Sequence, residues 1–103
     1  SNLIGGDLAE ELTRDSRTMS IRPERVRLLG ADDAHDEGEV SLTGVVREVV
    51  YTGPATRFLV STDAGADIIA ERPNAHHPAA GAAFGRGDHV RVAWTPDHAA
   101  RLP

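Results

Sequence analysis

The sequence predicts an all-β fold with antiparallel strands. Short runs rich in Val, Ile, Leu and Thr alternate with polar residues at a period of two, which is the side-chain period of a strand. Glycine or proline interrupts these runs about every ten positions, as turns do in small β domains. A chain of 103 residues is long enough for one domain and too short for two.

The N-terminal third of the chain contains three short predicted strands, at residues 3–6, 18–22 and 25–29. Pro23 lies between the second and the third of them. Because proline has no backbone N–H to donate, we expect it to break the ladder at that point. Residues 7–11 fit either the start of one helical turn or a solvated acidic loop, and the sequence leaves these two alternatives open.

A longer strand is predicted over residues 39–51. Its apolar side chains occupy even positions before Gly44 and odd positions after it. A glycine at such a change of phase indicates a β-bulge or a sharp bend. A bend of this kind allows one strand to serve two sheets of a small closed barrel. We therefore predict a bulge or a sharp bend at Gly44.

Two turns then connect three strands into a meander. The first turn contains Thr52-Gly53-Pro54 and leads to a strand at residues 56–62; the second leads to a strand at residues 66–71. Gly53 accommodates the positive φ that such a turn requires. The ring of Tyr51, which precedes this turn, is expected to pack beside its strand.

The last predicted strand covers residues 89–94 and has a core face and a solvent face. Alternation assigns three residues to each face: Val90, Val92 and Trp94 to the core, and His89, Arg91 and Ala93 to solvent. Trp94 supplies the largest apolar area in the chain. Pro96 ends the ladder shortly after this strand.

Two segments, residues 31–38 and 74–87, are predicted loops because they are rich in small, acidic or turn-forming residues. The first holds four acids without the spacing of a calcium-binding loop. The second contains the adjacent His76 and His77, whose rings point to opposite sides of an extended segment and do not chelate one ion. We predict no metal site and no catalytic residues.

Composition excludes several kinds of chemistry. The chain has no cysteine, which rules out disulfides, thiolate zinc sites and a cysteine nucleophile. All 11 basic residues are arginine, so a phosphate-loop lysine and a Schiff base are impossible. A net charge of −5 and an aromatic content of 4% disfavour nucleic acid as a partner. No apolar run approaches the roughly 18 residues that cross a bilayer.

An ordered set of motifs identifies a family resemblance. The set comprises Arg22-Pro23-Glu24, Tyr51-Thr52-Gly53, Arg57, Gly87-Asp88-His89-Val90 and Trp94-Thr95-Pro96. In this order it resembles the transport-associated OB (TOBE) domain at the C-terminus of ABC importer ATPase subunits, most closely those of the spermidine/putrescine and ferric-iron type. Residues 2–6, an Asn and apolar residues before a glycine, are similar to the segment that follows the ATPase domain in that family.

This resemblance implies a small OB-like antiparallel β-barrel, covering residues 1–103 as one domain, that forms the C-terminal part of a longer subunit. It implies a non-catalytic role in regulation and dimerisation while the ATPase domain powers import of a polyamine, iron or a similar solute. The implied partners are that ATPase domain, a second copy of the subunit and, through the ATPase domain, a membrane permease. ATP and Mg²⁺ would bind the ATPase domain, with no cofactor in this chain. The implied location is cytoplasmic, peripheral on the inner face of the membrane.

The motif residues have two interpretations. Arg22, Glu24 and Arg57 suit a structural ion-pair set or a contact between domains. In the alternative, the chain is a small-ligand module like the related barrels of oxyanion importers, and Arg22, Arg57 and Arg91 contact the anion.

Overall fold

Two antiparallel sheets form the framework of the computed structural model, which describes residues 2–14, 17–73 and 84–101. The described strands are β1 (Asn2–Ile4), β2 (Met19–Ile21), β3 (Arg27–Gly30), β4 (Val40–Tyr51), β5 (Ala55–Thr62), β6 (Asp67–Pro73), β7 (His89–Trp94) and β8 (Ala99–Arg101). The three-stranded sheet has the order β1-β2-β8, and the five-stranded sheet has the order β3-β7-β4-β5-β6. One helix, α1 (Gly6–Thr13), and two 3-10 turns, Pro23–Arg25 and Pro96–His98, complete the described elements.

The predicted all-β class and the predicted meander are confirmed, because β4, β5 and β6 pair in sequence. The junction at Pro23 is confirmed as well. Pro23 begins a 3-10 turn, with β2 on one side in the three-stranded sheet and β3 on the other in the five-stranded sheet. The missing donor of proline is tolerated at the first position of such a turn, where an N–H would have no partner within it.

Residues 7–11, for which the sequence left two alternatives, belong to a helix of eight residues. Ala9 is fully buried, and Leu8 and Leu12 pack against the core, so the helix buries one apolar face. The helix is capped by Arg14, whose φ of 61° is left-handed and whose N–H donates to the carbonyl of Glu10 at 2.6 Å. Burial of this apolar face therefore favours the helix over the loop, a choice that the short acidic sequence does not settle on its own.

The bulge in β4 lies three residues after the predicted position. The pairing of β4 with β5 shifts register between Val46 and Glu48, so Arg47 is the extra residue. Gly44 instead pairs regularly on both sides, with Thr62 and Val90. A β-carbon there would collide with the carbonyl oxygen of Ser61, which explains why this position holds glycine.

Residues from both sheets and the helix meet in one core. Its members share relative exposures of 4% or less: Ile4, Ala9, Met19, Ile21, Val26, Leu28, Val46, Phe58, Val60, Ile68, Ala70, Val90, Val92 and Trp94. The predicted core face of β7 is confirmed. Its predicted solvent face is wrong at Ala93, a small side chain that is fully buried between its register partners Arg27 on β3 and Ser41 on β4.

Within the described ranges, the side chain of Arg72, rather than a backbone ladder, bridges the two edges of the five-stranded sheet. Arg72 on the β6 edge donates to the carbonyl of Leu28 on the β3 edge at 2.9 Å. Its guanidinium also lies 5.7 Å from the centroid of the Phe84 ring, which packs edge-on against Phe58. Arg72 therefore brings the two edges of the sheet together.

The side chain of Asn2 occupies another part of the β6 edge. Its Nδ2 donates to the carbonyl of Ile69 at 2.8 Å, and its Oδ1 accepts from the N–H of Ile69 at 2.6 Å. The carboxamide thus satisfies both backbone groups that a neighbouring strand would otherwise satisfy. Because Asn2 is 4% exposed, this pair of bonds connects β1 to the second sheet away from solvent.

We predict that Asn2→Ala lowers the free energy of unfolding by about 1–3 kcal/mol, because it leaves the N–H and the carbonyl of Ile69 without partners. Urea denaturation measures the change. Leu3→Ala is the matched control, since Leu3 lies on the same strand but is 61% exposed; its effect should stay within about 0.5 kcal/mol. Equal effects of the two substitutions would contradict the role assigned to Asn2.

Candidate functional site

The Arg-Pro-Glu motif forms the connection between the two sheets. Arg22 precedes the 3-10 turn, and its carbonyl accepts the N–H of Arg25 at 2.9 Å. Arg22 and Glu24 are both exposed. No ion pair involving either side chain is found within residues 2–14, 17–73 and 84–101. Both side chains are therefore accessible at the junction between the sheets.

Arg57 makes a contact across the meander. Its Nε donates to Oε1 of Glu71 at 2.8 Å, and the two residues are register partners on β5 and β6. Both side chains retain solvent exposure, at 50% and 21%. An exposed pair of this kind contributes about 0–1 kcal/mol to stability. Its main effect is to orient the guanidinium of Arg57 along the sheet.

Arg91 holds the acidic loop of residues 31–38 against the five-stranded sheet. It lies near the start of β4, whereas Arg57 lies near the end of that strand. Its Nε donates to the carbonyl of Asp33 at 3.0 Å, and its Nη1 donates to the hydroxyl of Ser41 at 3.0 Å. Arg91 pairs with Thr43 on β4, whereas Arg57 pairs with Val50 on the same strand. Seven residues of strand separate these positions by about 20 Å, so Arg57 and Arg91 do not converge on one small anion.

A second network at this loop involves Arg27 and Glu39, which the sequence analysis did not identify. Two hydrogen bonds join them, Nε to Oε2 at 2.9 Å and Nη2 to Oε1 at 2.6 Å. The N–H of Asp36 also donates to Glu39, at 2.7 Å, and the Asp36 carboxylate lies 3.4 Å from Arg27. The sequence feature that could have identified this pair is the position of two opposite charges, Arg27 before the acidic loop and Glu39 after it.

These contacts shift the pKa of both partners. The hydrogen bond from Arg27 lowers the pKa of Glu39, and the N–H of Asp36 acts in the same direction, while burial opposes them. The bond to Glu39 correspondingly raises the pKa of Arg27. The Glu39 side chain is 7% exposed, so this forked pair anchors the loop at the edge of the core.

Tyr51 and Gly53 lie at the end of the β4–β5 hairpin. The φ of Gly53 is 85°, as the turn requires, and the N–H of Thr52 donates to the carbonyl of Ala55 at 2.8 Å. The Tyr51 ring is 77% exposed, so the expectation that it packs beside its strand is wrong. It projects beyond the end of the core, where there is nothing to cover it in the described structure.

The last long strand, β7, follows Gly87, ends at Trp94 and is followed by Pro96. Gly87 has a φ of 93°, and its N–H donates to the carbonyl of Val46 at 2.8 Å, which aligns β7 with β4. Trp94 is fully buried, and its indole N–H has no hydrogen-bond partner among the described residues. Pro96 begins the turn that carries the chain into β8.

A groove of about 580 Å³ lies beside the second half of β4. Its lining residues are Arg47, Glu48, Val49 and Tyr51 from β4, and Phe84, Gly85 and Arg86 from the segment before β7. A short turn holds that segment, because Asp88 donates its N–H to the carbonyl of Gly85 and accepts the N–H of Gly85 through its side chain. The lining thus includes two aromatic rings and three charged side chains, those of Arg47, Glu48 and Arg86.

No metal centre is found in the described ranges, where no group of three or more His, Asp or Glu residues is arranged to hold an ion. His76 and His77 lie outside the described residues. His35 contacts the backbone carbonyl of Asp36 through Nδ1 at 2.9 Å. Within the same ranges, no helix has both the length and the apolar character needed to cross a membrane.

Comparisons with known proteins agree with these features. The family model described as "TOBE domain" matches residues 19–102. The spermidine/putrescine import ATP-binding protein PotA of Thermobifida fusca is 35% identical over 85 residues, which cover 82% of this chain and 21% of that protein. An ABC transporter ATP-binding protein of Escherichia coli, YdcT, is 30% identical over 97 residues, covering 94% and 27%. The chain therefore spans about a fifth to a quarter of the length of these relatives.

Among solved structures, the cytoplasmic molybdate-binding protein ModG superposes with a TM-score of 0.71 at 11% identity. The match covers 93% of this chain and 71% of that one. Similarity at this level of identity shows that the fold is shared. It confirms the OB-type architecture that the sequence resemblance implied.

We predict that the stability of the chain decreases as pH falls from about 5 to about 3, and that Glu39→Gln flattens this dependence. The folded-state pKa of Glu39 is lowered, so the unfolded state binds more protons in this window and the stabilisation is lost as pH falls through the folded pKa. Urea midpoints measured against pH test this. Glu37→Gln, an exposed acid on the same loop, serves as the control; a Glu39→Gln profile as steep as that of the native chain would disprove the assignment.

Proposed function

The chain belongs to the TOBE domain family, and from this membership we propose that it is the non-catalytic regulatory and dimerisation domain of an ABC transporter ATP-binding subunit. The observation that supports this proposal is how much of each protein the alignments cover. Import ATP-binding proteins match over 82% and 94% of this chain, yet the matches occupy only 21% and 27% of those proteins. ATP and Mg²⁺ would bind the remainder of such a subunit, and the remainder would also contact a membrane permease at the cytoplasmic face.

For the transported solute we propose a polyamine. The support is the name shared by PotA relatives from several bacteria, including Thermobifida fusca and Acidothermus cellulolyticus, at 35% and 33% identity. Ferric iron is the second class that the sequence resemblance implies.

The proposed regulatory role predicts a separation of activities in the full-length parent subunit. Removing this domain should leave ATP hydrolysis by the remaining subunit measurable, while the dissociation constant of the subunit dimer rises about tenfold, equivalent to about 1.4 kcal/mol. Sedimentation equilibrium and phosphate release measure the two quantities. Unchanged dimerisation would overturn the role in dimerisation. A parent reading frame without a phosphate-loop ATPase domain would overturn the proposal as a whole.

Oxyanion binding is the second candidate, favoured by the fold shared with a molybdate-binding protein. A shared fold does not by itself transfer a ligand site. The arginines assigned to this role do not converge, since Arg57 is paired with Glu71 and Arg91 with the loop and Ser41.

We therefore predict flat calorimetric titrations of this chain with molybdate, sulfate and phosphate. Spermidine is included as a cation of opposite charge, to detect binding that depends on net charge alone. Saturable heat with molybdate that Arg57→Ala or Arg91→Ala abolishes would instead favour oxyanion binding over the regulatory role.

A further inference from the structure

The meander of β4, β5 and β6 has an outward face as well as a core face. Phe58 and Val60 on β5 are buried, so the residues that alternate with them point away from the core. Register partners project to the same side of a sheet. The outward face of the meander therefore consists of two rows across the strands: Glu48, Leu59 and Ile69 in one, and Val50, Arg57 and Glu71 in the other.

Apolar side chains form a continuous stripe on this outward face. Val50 is diagonal to Leu59, and Leu59 lies directly opposite Ile69. Val50 is 44% exposed, and the other two are half-buried. A partner that covers the stripe would remove apolar surface from water, which favours association.

Two opposite charges lie on either side of the diagonal from Val50 to Leu59. Glu48 lies beside Leu59, and Arg57 lies beside Val50. Glu48 is exposed and makes no ion pair within the described ranges. Arg57 bonds to Glu71 through Nε, and its side chain stays 50% exposed. The outward face therefore presents one unpaired acid and one accessible guanidinium on opposite sides of its apolar diagonal.

This arrangement of charges is complementary to itself. When two copies meet face to face about a twofold axis along the diagonal from Val50 to Leu59, each of these two residues meets its own counterpart. The corners on either side of the axis exchange places, so Glu48 of one copy lies over the partner's Arg57. The same rotation places Arg57 over the partner's Glu48. Two ion pairs between the copies would then flank the apolar diagonal.

We propose that the outward face of the meander is the contact between two copies of this chain, with the apolar diagonal at its centre and Glu48 bound to the partner's Arg57. The inference rests on the proposed role in dimerisation and names the surface that performs it. Asp67, another acid on this face, has Arg47 as its counter-ion at 3.6 Å. Opposite charges that meet at such a contact determine its register, and like charges that meet there oppose it.

Exchanging the two charges between variants tests this pairing. Glu48→Arg places an arginine against the partner's Arg57, and Arg57→Glu places a glutamate against the partner's Glu48. Each variant alone should therefore associate at least about tenfold more weakly than the native chain. An equimolar mixture of the two variants restores both ion pairs, so we expect it to associate within about threefold of the native chain. Sedimentation equilibrium measures the dissociation constants, and association of the mixture also shows that both variants are folded.

Two control variants separate this contact from general effects of charge and of exposed apolar area. Glu37→Arg changes the net charge as Glu48→Arg does, but it lies on the exposed acidic loop and should not weaken association. Val50→Ser should weaken association at least about threefold, because it removes apolar area from the centre of the contact. Tyr51→Ser should have little effect, although the Tyr51 ring is 77% exposed, because it lies outside the outward face.

Two results would overturn the inference. One is a native chain that stays monomeric up to about 1 mM. The other is a native chain that dimerises while the charge variants associate as it does, alone and in the mixture. The second result leaves the role in dimerisation intact on another surface. That role is tested separately, by removing the domain from the parent subunit, so the two failures are distinguishable.

Discussion

The structure depends on how the two edges of its five-stranded sheet are satisfied. A small sheet that curves around a core brings its edge strands together, and the unpaired backbone groups there must find partners. In the described structure two side chains provide some of them. Arg72 reaches from β6 to the carbonyl of Leu28 on β3, and the carboxamide of Asn2 occupies both backbone groups of Ile69. The first contact joins the two edges of the five-stranded sheet, and the second joins that sheet to β1 of the three-stranded sheet.

The sequence predicted those features that follow from local chemistry. Period-two alternation located the strands, and the missing donor of Pro23 located the junction between the sheets. The bulge was misplaced because Gly44 suggested a change in strand geometry, whereas its role is to admit the backbone of Ser61 and Thr62 from the next strand. Only the cross-strand register, which is a tertiary property, assigns the extra residue to Arg47.

Side-chain pairing was less predictable than strand position. Arg27 and Glu39 are 12 residues apart, and their forked contact depends on how the acidic loop folds back. Arg57 and Arg91 are anion contacts only in the alternative interpretation, and in the structure Arg57 bonds to Glu71 while Arg91 bonds to Asp33 and Ser41. The groove beside β4 was not predicted because its lining comes from β4 and from the segment before β7, which only the fold brings together.

The two hydrogen bonds between Asn2 and Ile69 also constrain the order of folding. The two residues are 67 positions apart, and β2 pairs with β8 over a still longer interval. The meander of β4, β5 and β6 is local and can form early, whereas the three-stranded sheet needs both ends of the domain. On a ribosome, β1 and β2 can pair with each other before β8 emerges, but β8 is the second partner of β2. The edge of β2 that β8 covers therefore stays unpaired until β8 has been synthesised.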